Sequence, residues 1–120
     1  MYQADFTIPK GAKLPSPSGY RILIMMPIVE EKSKGGIIIP GKTSGLEQTA
    51  SIVGKVITMG SDAYSDQDKF PSGPWCKPGD IVMFRAYSGT RFEIGDREFR
   101  LINDDTVESL VPDPSQLTRK

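Results

Sequence analysis

Apolar residues fall into short blocks along this chain, and nearly all of the blocks read as strand. Between residues 20 and 28, Arg21, Leu23 and Met25 alternate with Tyr20, Ile22, Ile24 and Met26. Both sets are mostly apolar, which predicts a strand buried on both faces. Pro27 cannot donate to a ladder, so the strand ends at an edge or a bulge. Residues 51–59 predict a second strand, in which Gly54 marks a bulge or a close backbone approach. A Lys77-Pro78-Gly79-Asp80 turn leads into a third, over 81–87. Residues 90–94 and 97–102 form a hairpin across Gly95-Asp96, where glycine at the first central position suits a type II′ turn. A two-residue turn sets Phe92 opposite Phe99, Glu93 opposite Glu98 and Arg91 opposite Arg100. Directly opposed like charges are unfavourable, so either the register is bulged or diagonal pairs offset them. Asn103-Asp104-Asp105 reads as a turn, and 106–111 as the last strand, ended by Pro112 and Pro114.

Three stretches lack this pattern. Residues 1–18 hold Pro9, Pro15 and Pro17 and few core residues, and predict an arm that is extended or poorly ordered. Residues 30–50 run through Glu30, Glu31, Lys32 and Lys34 to Gly35-Gly36, then Ile37-Ile38-Ile39-Pro40, then a polar segment. A loop this long inside a compact domain is usually functional or disordered. Residues 60–73 carry Asp62, Asp66, Asp68 and Lys69 around Tyr64 and Phe70, and predict a projecting hairpin or loop. Residues 112–120 form a short polar tail.

Composition sharpens the fold class. Ile, Val and Thr outnumber Ala and Leu by more than two to one, and there are 12 glycines and 10 prolines in 120 residues. Strand formers with frequent turns point to an all-β chain closing into a small barrel. Charge and chemistry then exclude whole classes. Lys+Arg and Asp+Glu are 15 each, so the formal net charge is zero, and neither a nucleic-acid nor a membrane partner finds a basic surface. No histidine is present, which removes His-based catalysis, His metal sites and imidazole pH switching. Cys76 is the one cysteine, so no intrachain disulfide forms, as expected of a reducing compartment. No apolar run approaches the roughly 20 residues of a membrane span, and the first 18 residues do not read as a secretory signal. The expectation is a soluble, cytoplasmic protein. Cys76 beside Trp75 reads as a small, partly buried hydrophobe. Asp62, Asp66 and Asp68 lack the glycine and terminal Glu of a calcium-loop spacing and read as a solvated loop. No carboxylate pair is spaced for acid–base catalysis.

Four blocks, taken in order, resemble the GroES-type co-chaperonin (chaperonin-10) family from about Gly19 to Val111. They are Tyr20-Arg21-Ile22-Leu23-Ile24 with Pro27-Ile28; Lys34-Gly35-Gly36-Ile37-Ile38-Ile39-Pro40; Val53-Gly54-Lys55-Val56-Ile57-Thr58-Met59-Gly60; and the run from Pro78-Gly79-Asp80 to Ser88-Gly89-Thr90, continuing through the hairpin to Leu110-Val111. The resemblance implies a small irregular GroES-like β-barrel over residues 19–111, with a mobile loop about 30–50 and a roof hairpin about 61–73. It implies a homo-oligomeric ring, a heptamer, joined by terminal strands of neighbouring subunits. It also implies that Gly35, Gly36, Ile37, Ile38, Ile39 and Pro40 dock on a GroEL-type chaperonin double ring. Nucleotide is then bound by that partner and no cofactor by this chain, client proteins are met indirectly, and Tyr87 is a candidate for facing the chamber. The chain departs from the family in its arm, its tail, Gly95-Asp96 where Asp-Gly is typical, and an all-Ile tripeptide where the family usually ends in Leu. Such divergence is compatible with a virus-encoded member acting in a host cytoplasm.

Two other readings compete. Zinc-type alcohol dehydrogenases contain a GroES-like domain, but they need Cys and His ligands and a dinucleotide-binding domain that this sequence lacks. An OB-type nucleic-acid barrel would stack bases on Phe84, Phe92 and Phe99, against a missing electrostatic term.

Overall fold

A computed structural model describes residues 3–30, 50–117 and 119–120, and the chain is all-β over that span. The strands are β1 (Gln3–Asp5), β2 (Arg21–Met25), β3 (Ile28–Glu30), β4 (Val53–Met59), β5 (Ile81–Met83), β6 (Thr90–Ile94), β7 (Arg97–Asn103) and β8 (Ser109–Leu110). Six of them form one antiparallel sheet in the order β6-β7-β2-β4-β5-β8, and β1 pairs with β3 in a separate ribbon. The expected GroES-like barrel is thus a sheet built around β2, packed on both faces.

The alternation read along β2 is what divides the core in two. Ile22, Ile24 and Met26 point to one side, where Val56, Val82, Phe84, Ile102 and Val107 complete the main cluster. Leu23 and Met25 point to the other and meet Phe99. Phe6 and Leu14 of the arm close that second face, together with Phe92 and Ile57. Ile57 reaches it through a bulge: Leu23 pairs with Thr58 but Ile24 pairs with Val56, so one residue of β4 is extra. Gly54 marks a close approach rather than the bulge, since a methyl there would overlap Ile24 Cγ2.

The hairpin forms in the expected register, with Phe92 opposite Phe99 and the rings stacked at 5.8 Å. Gly95 has φ 66° and is followed by a residue of negative φ, the sign pattern of a II′ turn. The register is not bulged. Ion pairs resolve the opposed charges: Arg91 donates diagonally across the strands to Glu98 through Nε (3.2 Å) and Nη2 (3.1 Å), and Arg100 Nε, two residues along the same strand, donates to Glu98 Oε2 at 3.1 Å. The Lys77–Asp80 turn closes with Asp80 N–H donating to Lys77 O at 3.1 Å, and Gly79 takes the positive φ of 96° that a type II turn needs.

Four expectations change, the first being that the third strand ends at Met83 and not at 87. The arm is extended, but it is tied down through β1 and the packing of Phe6. Residues 61–73 form no hairpin; they are a run of turns, because Tyr64 and Phe70 insert into the main core and draw the chain back onto it. The last strand is shorter than 106–111. Asp104–Thr106 coils into a 3-10 turn, only Ser109–Leu110 pairs with β5, and the tail adds a second 3-10 turn at Pro114–Gln116.

Candidate functional site

Gly35, Gly36, Ile37, Ile38, Ile39 and Pro40 lie outside the described residues. The geometry available is that of the two ends of the stretch that holds them. On one side β2 passes through a break at Pro27 into β3, which ends at Glu30. On the other, Ala50 and Ser51 lead into β4, whose start is fixed by Val53 pairing with Met83 and by Phe84 N–H donating to Ile52 O at 2.9 Å. One end thus sits on β3 of the two-stranded ribbon, and the other leads into β4 of the six-stranded sheet.

Tyr87 is 87% exposed, the most open large apolar side chain described. It follows buried Ala86 and stands on a turn closed by Ser88 N–H and Oγ, which donate to Arg85 O at 3.1 and 2.6 Å. Gly89 takes φ 79° against Leu101 O, a position no Cβ could share. Among the described residues the ring belongs to neither core cluster.

The 60–77 loop is a packed aromatic corner. Tyr64, Phe70 and Trp75 meet edge to face or tilted, at 4.8, 4.9 and 5.9 Å, and Trp75 is 43% exposed at the rim. Tyr64 has φ 60°, the one positive value among described non-glycine residues. Its N–H donates to Asp104 Oδ2 at 2.9 Å, which holds it there. Its hydroxyl lies 3.4 Å from Cys76 Sγ, and burial pushes both the phenol and the thiol up from their ordinary values. Cys76 is therefore a buried thiol whose ionisation is disfavoured, more deeply set than the partly buried hydrophobe read from the sequence.

A cleft of about 340 Å³ opens between this loop and the Asp104–Thr106 turn, lined by Tyr20, Asp62, Asp66 and Asp105 among others. Lys69 bridges it to Asp105, and that hydrogen bond holds the ammonium above its ordinary value. Asp66 Oδ1 is occupied by the N–H groups of Asp68 and Lys69, at 3.1 and 3.3 Å. Among the described residues no group of three His, Cys, Asp or Glu side chains is placed to hold a metal. The base-stacking alternative loses its surface, since Phe84 and Phe99 are 1% and 0% exposed.

Sequence reasoning missed the buried arginines. Arg100 is 1% exposed, donates to Ala86 O and Glu98, and lies 5.7 Å from the Phe84 ring centre. Arg97 is 4% exposed and donates to Asp5 O, to Thr7 O at 2.9 Å and to Met26 O at 3.4 Å. Their partners are mostly main-chain carbonyls, which leave no mark in a sequence.

Comparison with known proteins bears on the whole barrel. The family model described as chaperonin 10 Kd subunit matches residues 16–111. The co-chaperonin GroES of Solidesulfovibrio magneticus is 30% identical over 95 residues, covering 79% of this chain and 94% of the relative. The mitochondrial 10 kDa chaperonin of Arabidopsis thaliana is 34% identical over 91 residues, covering 76% and 87%. A Clostridium botulinum co-chaperonin GroES is 30% identical over 95 residues, covering 79% and 95%.

Proposed function

Because the chain belongs to the chaperonin 10 kDa subunit family, we propose that it caps a GroEL-type chaperonin ring in a nucleotide-dependent way and closes the chamber for assisted folding. It acts without a catalytic site and without a cofactor of its own, the nucleotide being bound by the partner. The observation that carries this is the family match across the whole barrel, residues 16–111, including both ends of the stretch that holds Gly35 to Pro40.

The chemistry of that stretch suits docking. Gly35 and Gly36 free the backbone, and Ile37, Ile38 and Ile39 place three apolar side chains on a polar segment. Each could contribute about 1.5–3 kcal/mol when buried in a partner's groove, against an ordering cost of about 1–2 kcal/mol per residue fixed. One loop therefore binds weakly. A heptameric ring binds firmly, because tethering raises the avidity of the remaining loops by about 10²–10⁴. Ring formation finds support at β8, which is paired only with β5 and leaves its outer edge open among the described residues. Leu110 is 51% exposed there beside a groove of about 320 Å³. Tyr87 is the side chain that faces the chamber.

The test is co-elution with a double-ring chaperonin on a sizing column, with and without nucleotide. Nucleotide-dependent co-elution is the expected result. A folded protein that stays apart from the chaperonin under both conditions overturns the reading.

A further inference from the structure

The two segments outside the matched family region converge on the two ends of the 31–49 stretch. On the N-terminal side, β1 pairs with β3 in the register Gln3↔Glu30, Ala4↔Val29, Asp5↔Ile28. The arm is therefore laddered to the last residues before that stretch. On the other side, Arg119 of the tail donates through Nη1 to Ser51 Oγ at 2.8 Å. The Pro114–Gln116 turn packs against β1, so arm and tail also meet each other.

The arm is itself fastened to the barrel. Phe6 and Leu14 cover Leu23, Met25 and Phe99, and Pro9 lies alongside the Gly95 turn. Arg97 reaches from inside the sheet to Asp5 O and Thr7 O on the arm and to Met26 O where β2 leaves for β3. Its Nε has no partner among the described residues, although it is buried. Desolvating a guanidinium is costly unless it is hydrogen-bonded, and here main-chain carbonyls supply the partners. It clamps three carbonyls from two chain segments that would otherwise part.

We propose that arm and tail form a collar that fixes both roots of the docking segment in the free protein. The collar rests on the docking reading above for its purpose, though not for its existence. A residue already ordered loses no backbone entropy when the partner arrives. Repeated around a ring, a small saving per subunit becomes a large difference in grip. Both the arm and the tail lie outside the region that the family model matches, residues 16–111.

Three full-length variants test it. Phe6→Ala loosens the arm and Arg119→Ala the tail, both without removing a member of the buried core, and Arg97→Gln removes the clamp. Amide hydrogen exchange in the free protein is expected to rise about tenfold over residues 28–30 in Phe6→Ala and Arg97→Gln, and over 50–52 in Arg119→Ala, with β5 unchanged in the two surface variants. Nucleotide-dependent capture by a chaperonin double ring is expected to weaken by about tenfold. Unchanged exchange in both surface variants overturns the collar. Raised exchange with unaltered capture overturns its link to docking. A wild-type chain that is never captured overturns the docking reading, while the exchange data still decide whether the collar exists.

Discussion

Arg91 and Arg100 lie directly opposite each other across the β6–β7 hairpin, and both donate to one carboxylate, that of Glu98. The two partners are unequal. Arg91 is over half exposed, so solvent screens its pair with Glu98. Arg100 is buried, and Glu98 is its only anionic partner among the described residues. Glu98→Gln is therefore expected to destabilise by about 2 kcal/mol, and Arg91→Ala by much less. Urea unfolding midpoints at constant slope separate the two; equal losses would assign the stability to the exposed pair instead.

The same carboxylate predicts acid sensitivity. Burial pushes Glu98 up, but Arg91 and Arg100 more than offset that and hold it below its ordinary 4.5. A group depressed on folding stabilises above its unfolded pKa. Its contribution is thus complete at neutral pH and is lost as pH falls below about 4.5 toward the folded value. Wild-type stability should fall over that window more steeply than that of Glu98→Gln, as denaturation at pH 6, 4.5 and 3.5 would show.

Gly54 is a packing requirement. A Cβ there overlaps Ile24 Cγ2 and comes within 3.2 Å of Met25 O and 3.3 Å of Phe84 Cε1. Ile24 is fully buried and has nowhere to retreat. Gly54→Ala should destabilise by about 1–3 kcal/mol through overpacking, although alanine is otherwise the better residue in a strand. Chemical denaturation checks the sign, and a neutral result would mean that β2 and β4 can part at that point.

Asp104 holds the aromatic corner. Its Oδ2 accepts the N–H of Tyr64, whose left-handed φ of 60° no glycine relieves. Asp104→Ala leaves that buried N–H unpaired and should cost about 1–3 kcal/mol, whereas Asp104→Asn keeps an acceptor and most of the stability. Trp75 packs on Phe70 and Tyr64 and reports the change by fluorescence. Identical spectra and stabilities for the two variants would remove Asp104 from this role.

How far the sequence could be read depended on whether the interaction had a side-chain signature. The β2 alternation, the Phe92–Phe99 pair, the II′ turn and the crowding at Gly54 are all consequences of side-chain period or of a missing Cβ, so they were legible. Arg97 and Arg100 were not, because a charge in an alternating strand reads as solvent-facing and their carbonyl partners are anonymous. The β1–β3 ribbon was hidden for the same reason: three residues of main-chain pairing leave no pattern. Tyr64 and Phe70 were visible as aromatics in a polar loop. That they would pull the loop into the core, rather than leave it projecting, depends on the cluster they complete with Ile22, Ile24 and Phe84. Residues 35–40 were assigned to docking by family resemblance alone, and they lie outside the described residues.

Tyr87 and Ile38 separate two parts of the proposed function. Tyr87 is 87% exposed while Phe84, three residues earlier, is 1% exposed. Tyr87→Ala should therefore change stability by less than about 0.5 kcal/mol and leave capture by the chaperonin intact. A side chain facing the chamber touches the client, so the expected loss is in the yield of assisted refolding. Ile38→Asp should do the reverse of this at the first step. It places a charge where an apolar contact is proposed, so capture should weaken by at least about tenfold, and refolding should fail because no chamber closes. Sizing-column capture and refolding yield, measured on the same two variants, give the answer. If Tyr87→Ala abolished capture, its ring would belong to the docking surface. If Ile38→Asp left capture intact, residues 35–40 would not be the docking segment.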